Sequence, residues 1–187
     1  VMEGTLISSK PCAKENSIDL TRITLRPFNL TDLDDVMVWT TDEKVAKFCS
    51  WKPYTSKDQG IRFIEDTESK FLCCKAICLD DRAIGCMMMF SPDDKCRNKS
   101  AELGYHLGSE FWGKGIGTCA VKQIVNLAFS ELSYLERLEA LVDVENVGSQ
   151  RVLQKAGFKM EGVLRKYLLM KGKSRDMIMF SVLSTDL

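Results

Sequence analysis

The sequence has few of the residues and patterns that mark several large classes of protein. Its 187 residues include one histidine and four prolines, and 26 acidic side chains balance 26 basic ones, giving a formal net charge of zero. A zinc site of clustered cysteine and histidine is therefore not expected, and the basic excess of a general nucleic-acid-binding protein is absent, although a local basic patch remains possible. No run approaches 18 apolar residues, so we expect no membrane-spanning helix.

The N-terminal segment differs in composition from the rest of the chain. Residues 1–17 are polar and mixed, without the charged start and apolar middle of a secretory signal. We expect a disordered lead-in over 1–17. A hydrophobic content of 45% over this length is that of one globular domain, which we place at 18–187.

Cysteine is the one residue type in excess. The eight cysteines are Cys12, Cys49, Cys73, Cys74, Cys78, Cys86, Cys96 and Cys119. They include no CxxC pair, and three of them lie in apolar strand-like runs, where a thiol behaves as a small hydrophobic side chain. We interpret them as reduced structural thiols, which predicts an intracellular, cytoplasmic protein.

Hydrophobic periodicity predicts a mixed α/β chain. Alternation predicts strands at 20–27, 71–79, 83–91, 101–107, 135–144, 158–170 and 173–183. Helical spacing predicts helices at 32–40, 43–49, 57–69, 113–130 and 147–156. Tight turns at 80–82 and 171–172 make hairpins, whereas single helices connect other strands, so the sheet contains both hairpins and a crossover.

A glycine-rich segment separates the fourth strand from the fourth helix. Five of the twelve glycines lie between Gly104 and Gly117, within a stretch that ends Trp112-Gly-Lys-Gly-Ile-Gly-Thr118. Glycine lets a backbone approach a ligand closely, and a helix start offers unpaired N–H donors at the positive end of its dipole. This predicts a phosphate site rather than a plain flexible turn.

Two common phosphate motifs fit this segment poorly. A Walker A loop needs a serine or threonine where Gly115 stands. A dinucleotide fingerprint matches Gly115, Gly117 and Ala120, but that unit normally opens a doubly wound fold, and here an antiparallel hairpin precedes it. A nucleotide-binding protein therefore stays open only as an alternative.

Four segments together resemble the GNAT superfamily of acetyl-CoA-dependent N-acetyltransferases over about residues 18–185. They are Glu102-Leu-Gly-Tyr-His-Leu107, Trp112-Gly-Lys-Gly-Ile-Gly117, Asn146-x-x-Ser149 and Lys155-Ala-Gly-Phe158. Trp112 stands where the superfamily usually has glutamine or arginine. That tryptophan, with Leu-Arg-Pro at 25–27, resembles the branch that acetylates the N-terminal residues of ribosomal proteins.

The resemblance implies a fold, a cosubstrate and a binding mode. The fold is a single-domain, mostly antiparallel sheet of about seven strands with helices on both faces. The cosubstrate is acetyl-CoA, with no metal: backbone N–H groups of 113–118 take its pyrophosphate, and pantetheine lies along 103–107 like an added strand, where that strand splays from 138–144. The implied cofactor contacts are Tyr105, His106, Leu107, Trp112, Gly113, Lys114, Gly115, Ile116, Gly117, Thr118, Asn146 and Ser149.

Glu102 is the first candidate for the general base. It begins the cleft strand, and an acceptor amine is mostly protonated at neutral pH although only its neutral form attacks. The alternative is a solvated carboxylate or a group that positions the substrate. His106 has the same alternation parity and a near-neutral reference pKa, but it ranks lower because a lone histidine in a strand is more often structural.

Asn146 and Ser149 are candidates for the leaving-group side of the reaction. The resemblance implies that Ser149 hydrogen-bonds the CoA sulfur and that Asn146 holds pantetheine, whereas an ordinary helix cap is the alternative. Many related enzymes use a tyrosine here. No tyrosine lies on 147–156, and Tyr134 and Tyr167 are poor substitutes by position, so the acid's identity stays open.

The acceptor site is expected at the first helices and the loop from Trp51 to Tyr54, where Asp58, Glu65 and Asp66 could attract a cationic amine. We predict acetyl transfer to a primary amine of a protein or peptide by direct attack in a ternary complex. The alternatives are a small amine, such as a polyamine or an antibiotic, and a non-catalytic acyl-CoA-binding module. A monomer or homodimer, with no nucleic-acid or membrane partner, completes the prediction.

Overall fold

The computed structural model describes residues 17–92 and 95–187, so the predicted lead-in lies outside the described residues apart from Ser17. The strands are β1 (Ile23–Arg26), β2 (Cys73–Leu79), β3 (Arg82–Phe90), β4 (Ser100–Leu107), β5 (Arg137–Asp143), β6 (Lys159–Met170) and β7 (Lys173–Leu183). The helices are α1 (Leu33–Thr40), α2 (Glu43–Ala46), α3 (Lys57–Asp66), α4 (Ile116–Glu131) and α5 (Val147–Lys155).

The seven strands form one sheet in the order β1-β2-β3-β4-β5-β7-β6. Neighbouring strands are antiparallel except β4 and β5, which are parallel because α4 carries the chain back across the sheet between them. This confirms the predicted mixed, mostly antiparallel sheet. Both predicted hairpins, β2–β3 and β6–β7, are present, with Asp80, Asp81, Lys171 and Gly172 at positive φ in their turns.

Helices cover both faces of the sheet. The larger core packs α4 and α5 against side chains such as Leu103, Leu107 and Leu138. The smaller core packs α1, α2 and α3 on the opposite face, against Cys86 and Met88. Side chains alternate between the two faces along β4, so Ala101, Leu103, Tyr105 and Leu107 pack in the larger core while the residues between them face the other side of the sheet.

Several predicted boundaries are wrong. The helices predicted at 43–49 and 57–69 end earlier, at Ala46 and Asp66. The strand predicted at 20–27 is shorter, because Leu20–Arg22 forms a 3₁₀ turn whose start Asp19 caps through its side chain. The helix predicted to begin at Gly113 begins at Ile116 instead. Gly113 and Gly115 have φ angles of +73° and +80°, which a right-handed helix cannot contain.

The cysteines of the sheet are thiols packed as hydrophobic side chains. Cys78 and Cys86 are buried, and the Cys86 sulfur lies 3.6 Å from that of Cys74 on the neighbouring strand. Burial raises the pKa of Cys78 to about 11, so the thiol stays protonated.

No helix within 17–92 or 95–187 combines the length and apolarity needed to cross a bilayer.

Candidate functional site

The parallel strands β4 and β5 separate soon after they meet. Their residues pair only as Ser100 with Arg137, Ala101 with Leu138 and Glu102 with Glu139. Beyond these positions β4 pairs only with β3, and β5 pairs only with β7. The facing edges, 103–107 and 140–143, therefore border a cleft where main-chain groups are available to an extended ligand. The splay predicted for these strands is present.

The loop after β4 is fixed to the strand that it follows. The Trp112 indole N–H donates a 2.7 Å hydrogen bond to the carbonyl oxygen of Leu107. The Lys114 ammonium donates, also at 2.7 Å, to the carbonyl oxygen of Glu110. Trp112 thus uses its only donor on the protein itself, whereas Lys114 is exposed and keeps N–H groups for another acceptor.

The start of α4 is suited to an anion. Its N-cap residue is Gly115, so no side chain caps the helix and the N–H groups of its first turn, at 116–118, point to the loop side without a helical partner. The space beside Gly113 is open, since a Cβ there would meet nothing within 4 Å. Gly117 is closer packed, because a Cβ there would lie 3.4 Å from Val152 on α5. Uncapped donors, the helix dipole and two left-handed glycines together make this helix start suited to binding an anion.

The start of α5 brings together two predicted site residues and links them to β4. The Asn146 side-chain oxygen accepts a 3.2 Å hydrogen bond from the Ser149 N–H, so Asn146 is the helix cap. The Ser149 hydroxyl oxygen lies 2.5 Å from the Tyr105 hydroxyl oxygen. Burial raises the pKa of Tyr105 to about 12, so its hydroxyl is protonated at neutral pH. The family resemblance implies that Tyr105 and Ser149 each contact the cofactor, but it does not predict this contact between them.

Glu102 lies where β4 and β5 begin to part. Burial and the facing Glu139 raise the pKa of Glu102 above its ordinary value, although Arg97 counteracts them. Glu139 is itself only 4% exposed and is ion-paired to Arg97 and, at 2.8 Å, to Arg137. Among the described residues the Glu102 side chain has no hydrogen bond or ion pair of its own, and its raised pKa makes it a stronger base than an ordinary glutamate, as a general base requires.

His106 lies on the same face as Glu102, as alternation predicts, but its ring is packed among other rings. It stacks on Trp39 with a centroid distance of 6.5 Å and meets Trp51 edge-on at 5.7 Å. Its Nδ1 atom lies 3.4 Å from the Cys49 sulfur. Burial lowers the pKa of His106 to about 4, so the ring is neutral at pH 7. Any cofactor contact of His106 on the cleft edge would come from its backbone rather than from this ring.

Aromatic rings and a hairpin lie at the side of the cleft where the acceptor is expected. Trp51 and Tyr54 have centroids 5.5 Å apart, next to His106. The Lys171 ammonium, in the β6–β7 turn, donates a 2.6 Å hydrogen bond to the carbonyl oxygen of Ala46 in α2. Of the acidic residues expected here, Asp66 is ion-paired to Lys70 instead; Asp58 and Glu65 are exposed on α3.

An ion pair that the sequence did not predict joins β5 to β7. Two nitrogens of Arg175 lie 2.6 and 2.9 Å from the Asp143 carboxylate, and a third contact of 2.8 Å reaches Glu145. Burial acts to raise the pKa of Asp143, but the hydrogen bonds from Arg175 hold it below its ordinary value. The pair fixes the outer end of the cleft, and nothing in the sequence pattern links these residues.

The candidate site contains no ligand set for a metal ion. In the described part of the chain, no three histidine, cysteine, aspartate or glutamate side chains are grouped so that they could hold one.

Comparison with known proteins identifies the family. The model of the acetyltransferase (GNAT) domain matches residues 22–159. The chain belongs to the GNAT family of acetyltransferases. Its seven-stranded sheet with a splayed parallel pair is thus the acyl-CoA N-acyltransferase fold that the resemblance implied, and its chemistry is acetyl-CoA-dependent N-acetylation.

Two bacterial relatives from Bacillus subtilis (strain 168) are similar in sequence. A probable N-acetyltransferase, YjcK, is 42% identical over 159 residues, which cover 85% of this chain and 80% of that one. A putative ribosomal N-acetyltransferase, YdaF, is 37% identical over 89 residues, or 48% of each chain. The second relative supports the predicted resemblance to the ribosomal branch over about half of the chain.

A solved structure with a bound acetyl donor has the same fold. The microcin C7 self-immunity acetyltransferase MccE, in complex with acetyl-CoA and AMP, superposes with a TM-score of 0.76 at 25% identity. The match covers 91% of this chain and 97% of that one.

Proposed function

We propose that this GNAT enzyme transfers the acetyl group of acetyl-CoA directly to an amino group of a protein or peptide, in a ternary complex. The observation that carries the proposal is the uncapped start of α4, preceded by left-handed Gly113 and Gly115, at the end of the strand whose edge is left unpaired by β5. An anion cradle and an open strand edge in line are what a long acyl-CoA needs.

On the donor side, main-chain groups do most of the binding. The N–H groups of 113–118 receive the pyrophosphate, and Lys114 adds charge beside it. The edge of β4, from Tyr105 to Leu107, pairs with the pantetheine amides, and Trp112 holds the loop in register with that edge. Asn146 shapes the start of α5 on the other side of the cleft.

The chemistry needs a base for the amine and a donor for the leaving sulfur. The neutral amine attacks the thioester carbonyl carbon, a C–N bond forms, and the C–S bond breaks. Glu102 takes the proton that the amine loses, directly or through a water molecule. The Ser149 hydroxyl donates a hydrogen bond to the sulfur as negative charge develops on it.

The acceptor class follows from the charge at the acceptor end of the cleft. The β6–β7 hairpin contacts α2 through Lys171. Exposed cations are numerous in these two segments and the loop after α2: Lys44, Lys47, Lys52, Arg165, Lys166, Lys171 and Lys173. The acids in the same segments are fewer, namely Asp42, Glu43, Glu161 and Asp176, and Glu161 is ion-paired to Arg137. A polyamine with several positive charges would be repelled here. A peptide amine followed by neutral or acidic residues would be attracted.

An acceptor panel with a thiol-release readout tests this proposal. We expect turnover of peptides with a free N-terminus, none after N-terminal blocking of the same lysine-free peptides, and higher kcat/KM for an acidic peptide than for a basic one. The preference for the acidic peptide should weaken as salt rises. Faster turnover of spermidine than of any peptide would contradict the proposed acceptor class. Acetyl-CoA binding without turnover of any amine would instead favour an acyl-CoA-binding module.

A further inference from the structure

A direct polar contact between Tyr105 and Ser149 joins the two walls of the cleft. Their hydroxyl oxygens are 2.5 Å apart, although the residues are 44 positions apart in sequence. The Tyr105 hydroxyl also lies 3.2 Å from the carbonyl oxygen of Ser149, to which it can donate. Asn146 holds the Ser149 backbone N–H at the same time, so both the backbone and the side chain of Ser149 are fixed.

The direction of the hydrogen bond decides what Ser149 can do. A hydroxyl has one proton to donate and two lone pairs to accept with. If Ser149 donates to Tyr105, its proton is no longer available to the cleft. If Tyr105 donates to Ser149, the Ser149 proton is free to point at a third atom. Tyr105 has an alternative acceptor in the Ser149 carbonyl oxygen, so both arrangements are open to the free enzyme.

We propose that Tyr105 is a positioning residue for the leaving group: it donates to the Ser149 oxygen and thereby directs the Ser149 proton to the CoA sulfur. The inference rests on the proposed role of Ser149. A sulfur that gains negative charge favours the chain from Tyr105 to Ser149 to sulfur, because hydrogen bonds to a charged acceptor are the stronger ones. No proton is transferred in this step. Tyr105 remains protonated, in keeping with its raised pKa.

The position of Tyr105 also explains how this chain manages without a tyrosine on α5. The tyrosine comes from β4, across the cleft, and acts through a serine at the first turn of α5. Tyr105 lies between Leu103 and Leu107 on the face of β4 that carries α4 and α5. Its ring therefore packs in the larger core, and only its hydroxyl reaches Ser149.

Paired binding measurements with CoA and desulfo-CoA, which lacks the sulfur, test the proposal. The wild-type protein should bind CoA more tightly than desulfo-CoA at about pH 9, and this preference should be smaller at about pH 6.5, where less of the CoA thiol is ionised. Ser149→Ala should reduce this preference roughly 10-fold or more. Tyr105→Phe, which removes only the hydroxyl, should reduce it roughly 3- to 10-fold and leave desulfo-CoA affinity unchanged. Tyr134→Phe, at an exposed tyrosine, is the matched control.

The outcomes separate this inference from the function it rests on. The inference is supported if Tyr105→Phe loses the preference for CoA and if the double variant Tyr105→Phe, Ser149→Ala loses no more than Ser149→Ala alone. It also requires that Tyr105→Phe lowers kcat at a constant KM for acetyl-CoA. A wild-type preference in Tyr105→Phe beside a loss in Ser149→Ala overturns it, and so does equal weakening of both ligands. If Ser149→Ala also keeps the preference, or the wild-type protein shows none, Ser149 does not contact the sulfur. If the wild-type protein binds neither ligand, the proposed cofactor site is wrong.

Discussion

The Trp112 indole N–H donates a 2.7 Å hydrogen bond to the carbonyl oxygen of Leu107, the last residue of β4. This bond ties the glycine-rich loop to the end of the cleft strand, so the start of α4 and the strand edge keep a fixed relative position. Gly113 and Gly115, which follow, turn the backbone through left-handed conformations into α4. In this chain a tryptophan side chain thus positions the loop, at the place where the superfamily usually has glutamine or arginine.

Removing that bond should weaken acetyl-CoA binding without unfolding the protein. Trp112→Phe keeps an aromatic ring but loses the donor, and a net hydrogen bond of about 1 kcal/mol predicts a roughly 5-fold rise in Kd. Isothermal titration with acetyl-CoA measures the change. Phe111→Leu, next to Trp112 but without a donor to lose, is the comparison. Equal Kd values for wild type and Trp112→Phe would show that the loop does not depend on the bond.

A negative charge at the first turn of α4 should abolish acetyl-CoA binding. Gly117→Asp places a carboxylate beside the expected pyrophosphate, where like charges cost several kcal/mol, so Kd should rise at least about 100-fold. Gly117→Ala is the steric control, since its Cβ would make an ordinary 3.4 Å contact with Val152. Thermal stabilisation by acetyl-CoA, beside NAD and ATP, provides the readout; a real ligand at a hundredfold excess over Kd adds roughly 2.7 kcal/mol. A folded Gly117→Asp protein with unchanged affinity would place the phosphates elsewhere.

Glu102→Gln tests the general base. The substitution keeps the size of the side chain, so acetyl-CoA affinity should hold while kcat falls by roughly 10²–10⁴-fold. The loss should be largest at low pH, where the acceptor amine is most protonated, and should shrink as pH approaches the pKa of the amine. The profile of kcat and KM over pH decides the role. A raised KM with unchanged kcat would make Glu102 a group that only positions the acceptor.

The raised pKa of Glu102 also predicts a change in stability that is independent of catalysis. A carboxyl whose pKa is higher in the folded than in the unfolded state stabilises the fold at low pH, and that contribution is lost as pH rises through the folded value. At pH 7 the charged Glu102 therefore disfavours the fold, and Glu102→Gln should raise the free energy of unfolding. The gain should disappear as pH falls below the pKa of Glu102 in the unfolded chain, the ordinary glutamate value of about 4.5. Urea titrations at several pH values measure it, with the exposed Glu131→Gln as control. A gain of equal size at every pH would contradict the raised pKa.

The cations around the β6–β7 turn should affect the KM for the acceptor peptide and not the KM for acetyl-CoA. Lys171→Gln keeps a donor for the Ala46 carbonyl oxygen but removes one charge, so the KM for an acidic peptide should rise about 3-fold at low salt and little at high salt. The KM for acetyl-CoA should not change. Lys122→Gln, an exposed lysine on α4 at the opposite face, is the charge-matched control. The same rise in both variants would mean that net charge, rather than this turn, attracts the peptide.

Local patterns in the sequence predict much of the fold. Alternation along β4 places His106 and Glu102 on one face correctly, because the period of a strand is two. Spacing alone does not reveal a φ angle, so the helix was predicted to start at Gly113, where the left-handed glycines in fact delay it to Ile116.

Contacts between distant segments are what the sequence does not predict. Tyr105 with Ser149, Arg175 with Asp143 and the packing of His106 between Trp39 and Trp51 each join elements whose approach depends on the whole sheet. No residue pattern near these positions signals the partner. The cytoplasmic location and the monomeric or homodimeric state stay predictions, since they depend on surroundings that one chain does not contain.

Direct transfer of the acetyl group from acetyl-CoA to a peptide amine has a kinetic signature. Initial-velocity kinetics with acetyl-CoA and the best peptide acceptor, following released thiol and acetylated peptide together, detect it. We expect intersecting velocity lines, one thiol released for each amide formed, and loss of both products in Gly117→Asp. Parallel lines with an acetylated enzyme intermediate, or thiol release without acetylated peptide, would rule out direct transfer to a peptide.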